Sequence, residues 1–458
     1  MESKTNLKCN SLKASAKDSW GVLAFVFGIV FVQGVVYVTK VGNLYVDIVY
    51  PFAVVVLCLN LILRPKLTLR SIESCFYKGM LPFLLAIALS MFLAIESTMT
   101  HVGVQISSCI NGIIVLLFSL AVYFAVISMR DHLRQLLWGL FAGLLANIAV
   151  SFLQYAAFQS GTAFTLYDMF PQPAFYISVQ WGFADAWVQN IKYLVYSYRA
   201  QGMYLEVSYF VGAATIVFVL AMGGLKVNGT AKGIALAMLL FLFAISNTGN
   251  FILFVGFVLI SYLVLRRRRG GGLRFSSIRR SRAEWLVLLF AIVAIAAACL
   301  YALANIDEAL KVIDFDNLVK GLSGGLESSN ITNADNQERF QYMQNAISEF
   351  ARFPWGGGYN MAPTLIAHDY GTNTSFSYPL TLLIELGPLG LIAYLYFLFS
   401  MVARLFSKGS DSSNLGQCIA VALTALFAFQ TGNGIGLTTL AWCVFALGSI
   451  EIAKRGDL

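Results

Sequence analysis

Apolar runs near the length of a bilayer crossing recur along this 458-residue chain, and they leave it few folds to choose from. A helix rises about 1.5 Å per residue, so about 20 apolar residues cover the hydrocarbon core. Such runs lie at about 20–39, 44–63, 80–96, 103–129, 135–158, 205–225, 233–247, 250–265, 284–304, 379–403, 414–432 and 434–453. Only 12% of residues are charged, against roughly 25% in soluble domains. The expected fold is an all-α integral membrane protein of about twelve transmembrane helices, one polytopic domain over residues 1–458. A polar, basic stretch precedes the first run, and no small-residue cleavage site follows it, so the first helix reads as uncleaved.

The distribution of charge orients this layout. Of the 31 Lys and Arg residues, 24 fall in one set of loops, with a dense cluster over Arg266–Arg282. The other set holds seven: Lys40, Lys192, Arg199, Lys311, Lys320, Arg339 and Arg352. Cationic loops stay cytoplasmic, so both termini are expected inside. The net charge of +8 then marks topology and contact with anionic lipid, not nucleic acid. The expected outer side keeps two long segments, 159–204 and 305–378. Function concentrates on loops held by a rigid scaffold, so chemistry is expected there. The seven cysteines form no CxxC pair, which argues against a disulfide framework or a zinc site. No cluster with metal-ligand spacing, no Walker loop and no GxSxG elbow is present. The expectation is no metal and no cofactor, and a substrate that arrives already activated.

One stretch of the second long segment carries most of the polar chemistry: RFQYMQNAISEFARFPWGGGYN, from Arg339 to Asn360. Asp335 and Glu338 have capping-box spacing, predicting an amphipathic helix over 336–353. At about 100° per residue, Phe340, Met343, Ala346, Ile347, Phe350 and Phe353 share one face. Gln341, Gln344, Asn345, Ser348, Glu349 and Arg352 share the other. Arg339 projects within the apolar sector, either capping a carbonyl or pairing with a carboxylate, or presenting its guanidinium to an anion. Pro354 stops the helix. Gly356 to Gly358 then form a turn whose backbone a ligand can approach closely.

Other candidates flank this stretch. The first long segment ends in Arg199-Ala200-Gln201-Gly202-Met203-Tyr204-Leu205-Glu206. Were it helical, Arg199, Gly202 and Glu206 would share a face, and such charges at a helix mouth are paired or used. Ser246 to Asn250 is a small polar turn, either a plain tight turn or a donor to a headgroup. Beyond the glycines come Tyr359, Asn360 and His368, whose neighbour Asp369 can orient its ring. Glu385-Leu386-Gly387-Pro388-Leu389-Gly390 follows, where Glu385 can also fix the buried end of a short interfacial helix.

Together these features resemble the O-antigen polymerase and ligase superfamily of bacterial envelope polysaccharide assembly. The features are the twelve spans, an R-x-x-G-x-x-x-E helix mouth, a Ser-Asn-Thr-Gly turn, a late R-x6-A-x3-F-x3-P-W-G-G-G loop and an E-x-G-x-x-G segment. The resemblance implies a GT-C-like bundle with a large extracytoplasmic loop, in the bacterial inner membrane. It implies transfer of a polyprenyl-pyrophosphate-linked oligosaccharide to a sugar hydroxyl on the outer face. The implied partners are the lipid-linked donor and acceptor, membrane lipid and a chain-length regulator. Catalytic roles fall on Arg339, Arg199, Glu206 and His368. Substrate-binding roles fall on Gly202, Tyr204, Gly356, Gly358, Tyr359 and Asn360. Ligases of the family carry a His-Asn pair just before the E-x-G segment. Residues 372–378 read Thr-Asn-Thr-Ser-Phe-Ser-Tyr and lack that histidine, which favours a repeat-unit polymerase over a ligase. A transporter of the lipid-linked unit is the rival of another class.

Overall fold

The computed structural model describes residues 21–22, 24–31, 36–41, 44–100, 106–162, 176–177, 202–204, 207–226, 229–246, 250–268, 331–371, 375, 377–406, 413–433 and 436–455. Its helices, after a short helical stretch within residues 21–31, are α1 (Val49–Leu63), α2 (Pro65–Cys75), α3 (Leu81–Thr100), α4 (Ser107–Ser128) and α5 (Leu133–Gln159). There follow α6 (Val207–Gly224), α7 (Gly229–Ile245), α8 (Phe251–Arg268), α9 (Ile331–Arg352), α10 (Ala362–Tyr370), α11 (Tyr378–Phe406), α12 (Asn414–Asn433) and α13 (Thr439–Ala453).

Among the described residues, α3, α4, α5, α6, α11 and α12 are long and apolar enough to cross a membrane. The bent pair α1–α2 makes a seventh if counted as one span, its halves 119° apart at Pro65. Helices α7, α8 and α13 are apolar but shorter. The expected run at 284–304 lies outside the described residues, and the six or seven spans found among the described residues do not reach the expected twelve. The chain is a multi-pass membrane protein of predominantly helical fold.

One expected span does not keep its form. The run at 20–39 gives way to β1 (Val36–Val41), which pairs antiparallel with β2 (Leu44–Asp47), Val41 facing Leu44 and Lys40 facing Tyr45. Tyr176–Ile177 forms β3 on the opposite edge of β1. The physical reason is local. Val36-Tyr37-Val38-Thr39 is rich in β-branched and aromatic residues, and Gly42-Asn43 is a two-residue hairpin sequence.

Helices α6 and α13 are buried on every side, as expected of helices apolar all round, and they form the bundle's centre with α12. Large apolar side chains are exposed instead on α1, α3 and α11, among them Phe52, Ile62, Phe92, Leu389 and Ile392. Such a stripe suits contact with lipid tails. Three described arginines mark one end. There Arg130 donates to Ser74 Oγ at 2.7 Å, Arg404 lies 5.5 Å over the Tyr77 ring, and Arg455 donates to the Arg404 carbonyl at 3.1 Å. The 353–361 loop sits at the other end. Beneath it a second small core joins Ala94, Cys109, Ala346, Met361, Leu365 and Ile384, drawn from α3, α4, α9, α10 and α11.

Candidate functional site

The site is built on a crossing of two chain segments. Helix α11 is broken at Gly387 (φ 67°), just before Pro388. Carbonyls freed by the break are taken by the glycine turn. The Gly357 N–H donates to the Ile384 carbonyl at 2.7 Å, and the Gly358 N–H donates to the Glu385 carbonyl at 2.9 Å. A Cβ on Gly356 would stand 2.7 Å from the Glu385 carbonyl oxygen, and one on Gly387 would stand 2.5 Å from the Trp355 oxygen. Only glycine lets two backbones cross this closely. The space next to Gly356 and Gly358, read from the sequence as room for a ligand, is therefore filled by the chain itself.

Helix α3 holds the same turn from the other side. Ser97 Oγ donates to the Gly357 carbonyl at 2.7 Å, and Ser90 Oγ accepts the Tyr359 N–H at 3.1 Å. Asn360, the one non-glycine with positive φ among the described residues, donates through Nδ2 to the Ser108 carbonyl at 2.8 Å. Asparagine tolerates that conformation. Buried Glu385 accepts the backbone N–H groups of Asn360 and Ala362. Its carboxyl group thus sits at the N-terminus of α10, where it answers N–H groups that have no partner within the helix. Of the two roles open to Glu385, fixing the end of a helix is the one its contacts display.

Helix α9 differs from expectation in two ways. It begins at Ile331, ahead of Asp335, so Asp335 does not cap it. Its buried face is also rotated: Ala346 and Glu349 are fully buried and Ile347 is 54% exposed. Two polar contacts accompany the rotation. Glu349 lies 3.7 Å from Arg352, and Arg352 pairs with Asp369 of α10. Burial pushes the Glu349 carboxyl above its ordinary range, with Arg352 pulling the other way. Arg352 also lies over the Tyr370 ring at 5.9 Å. His368, on α10 and not in a loop, has Nδ1 2.7 Å from Asp369 Oδ1. Arg352, Asp369 and His368 thus form a chain in which a carboxylate can orient an imidazole.

Arg339 lies on α9, but its side chain is outside the described residues, as are Arg199 and Glu206 altogether. The structure therefore does not bring these three together or separate them. What it describes between Arg199 and Glu206 is a turn, not a helix. Gly202 has φ 58°, and α6 starts only at Val207.

This turn is held by two side chains absent from the sequence expectations. Gln154 of α5 donates to the Gly202 carbonyl at 2.9 Å and accepts the Gly202 N–H at 3.1 Å. Asn147 accepts the Met203 N–H at 2.8 Å and donates to the Val30 carbonyl at 3.0 Å. Tyr204 donates to that carbonyl as well, at 2.7 Å. A signal existed: Asn147 and Gln154 lie seven apart in an apolar run, on one helix face. Ser90 and Ser97 repeat that spacing on α3.

Residues 233–395 match the model of a family described as O-antigen ligase. The matched span includes α9, the glycine turn, α10 with His368, and the break in α11. Comparison with curated proteins gives no match. Members of the matched family are membrane enzymes that act on lipid-linked sugars. The chain is a multi-pass membrane protein whose residues 233–395 match the O-antigen ligase family model, consistent with the O-antigen polymerase and ligase superfamily.

Proposed function

We propose that this protein is a membrane glycosyltransferase that polymerises polyprenyl-pyrophosphate-linked oligosaccharide repeat units on the outer face of the bacterial inner membrane. The observation that carries the reading is the family match over residues 233–395, which covers the glycine turn, α10 and the break in α11. In the proposed reaction an acceptor hydroxyl oxygen attacks C1 of the donor sugar. The C1–oxygen bond to the pyrophosphate breaks, and the lipid pyrophosphate leaves with its electron pair. The proton of the hydroxyl passes to His368, which Asp369 orients. Arg339 and Arg199 stabilise the departing diphosphate, since guanidinium meets phosphate through a two-pronged fork. Glu206 orients an arginine or the acceptor. Such electrostatic help at a leaving group is a large catalytic term.

The test is Arg339→Ala. Polymer should vanish, a loss on the order of 10²-fold or more in rate, while protein level and membrane insertion stay normal. Normal-length polymer would remove Arg339 from the mechanism. Purified protein given lipid-linked repeat units should make longer glycan in detergent, with no membrane barrier present, which a transporter cannot do. The matched family's description favours a second reading, a ligase that attaches finished polymer to an acceptor. A deletion strain separates the two. Loss of a polymerase leaves single repeat units, whereas loss of a ligase leaves long polymer on the carrier.

A further inference from the structure

The loop end of α11, α12 and α13 holds polar groups that the fold itself leaves unanswered. Gln430 of α12 is completely buried, and its Nε2 has no hydrogen-bond partner. Its other amide atom, Oε1, accepts the Tyr394 hydroxyl. Exchanging the amide's N and O would only move the deficit to the oxygen. Thr439, the first residue of α13, is likewise buried with Oγ1 unpartnered. Tyr378 links the two through their neighbours. The Tyr378 ring stands edge-on to Tyr394 at 5.8 Å, and a Cβ on Gly436, three residues before Thr439, would lie 3.6 Å from it. Tyr359 and Glu385 are within electrostatic reach of Tyr378. Buried polar groups are almost always satisfied in native proteins, and each exception calls for a missing partner.

We propose that these helix ends form a subsite for an uncharged, hydroxyl-rich ligand, a sugar ring of the glycan, bound by Gln430 Nε2 and Thr439 Oγ1 with the Tyr378 hydroxyl at its rim. The chemistry selects a sugar over a phosphate. The cluster offers an amide donor, hydroxyls that both donate and accept, and aromatic rings, matching hydroxyl groups and C–H faces. Its one ionisable acid, Glu385, ion-pairs with no lysine or arginine among the described residues, so no described cation there receives an anion. Tyr378 lies about two helical turns along α11 from Glu385, whose carbonyl holds the glycine turn. The proposal rests on the glycosyltransferase reading and deepens it.

The test uses the full-length protein in nanodiscs. The probes are glycan released from the host's carrier lipid by mild acid and, as a contrast, inorganic pyrophosphate. Two variants are compared. Thr439→Val removes one orphan. The pair Gln430→Met with Tyr394→Phe removes another without creating a new one, so melting temperature should hold or rise. Expected is glycan binding weakened about tenfold in each, with pyrophosphate binding unchanged, KM raised and kcat nearly kept. Thr439→Ser should restore glycan binding. Unchanged glycan affinity in both variants would overturn the subsite and leave the orphans as packing defects. Wild-type protein that lengthens glycan yet binds none of the free probe would overturn the subsite alone. Wild-type protein that does neither would overturn the glycosyltransferase reading with it.

Discussion

Two turns at the loop end of the bundle solve one problem by different means. The Gly202–Tyr204 turn hangs from α5 by two amide side chains, Asn147 and Gln154, which answer backbone donors and acceptors together. The Trp355–Gly358 turn hangs from α3 by two hydroxyls, Ser90 and Ser97, with the same seven-residue spacing. A hydroxyl is a shorter and lesser anchor, so this second turn takes its main support from the broken backbone of α11. The first turn is therefore vulnerable through the side chains of its helix. The second is vulnerable through its glycines. Each mode of support leaves a different signature under substitution.

The largest effect should come from alanine at Gly387. Its φ of 67° disfavours any side chain, and the new Cβ would meet backbone, not a movable group, at 2.5 Å. Loss above about 4 kcal/mol is expected, read as absence of folded protein from detergent extracts. Alanine at Gly202 should be milder, about 1–3 kcal/mol, because the nearest obstacle is the Asn147 side chain at 2.7 Å. Equal damage at the two positions would erase the distinction between the turns.

Next come the anchors. Gln154→Leu strands both backbone groups of Gly202 in a dry interior, and Asn147→Leu strands the Met203 N–H. Each should lower stability by about 2–4 kcal/mol, followed by thermal unfolding in detergent. The double variant should fall short of the sum, because both side chains hold one turn. Ser90→Ala and Ser97→Ala should each cost only about 1 kcal/mol, since the α11 carbonyls still hold Gly357 and Gly358. A serine variant as damaging as Gln154→Leu would show that α3, not α11, carries the second turn.

Much of this was legible in the sequence, and the misses have causes. The apolar runs announced α3, α4, α5, α11 and α12 because length and hydropathy alone identify a helix that must satisfy its backbone within lipid. Val36–Val41 was misread because a valine-rich run suits either a span or a buried strand, and the Gly42-Asn43 hairpin sequence was the deciding clue. The glycine turn was legible as a place of close approach, but the sequence does not say whether ligand or chain will fill it. The face of α9 was misjudged because periodicity weighs hydrophobicity and ignores partners. Glu349 turns inward toward Arg352, which Asp369 of α10 holds, while Ile347 turns out. Asn147 and Gln154 were overlooked because two amides hardly alter the character of a 27-residue apolar helix. In such a setting they are expensive and therefore informative.

The smallest predicted effect separates the turns by pH. Among the described residues, only the second carries a buried acid on the helix that leads into it, Glu349, whose backbone carbonyl accepts the Phe353 N–H just before Pro354. Burial raises its carboxyl affinity for a proton in the folded state. Well below the unfolded carboxyl pKa of 4.5, both states hold the proton and nothing is lost. As pH rises, the unfolded chain releases its proton first, so stability falls until the folded carboxyl ionises, and is level above that point. Glu349→Gln removes this decline. Relative to wild type, its melting temperature should match near pH 4 and lie higher at pH 8, by on the order of 1 °C. The Gly202 turn has no such acid among its described contacts, so Gln154→Leu should show the same deficit at both pH values. A Glu349→Gln variant less stable than wild type at pH 8 would mean that Arg352 supports this carboxylate more than burial penalises it. The Arg352–Asp369 pair would then need Glu349 as its third member.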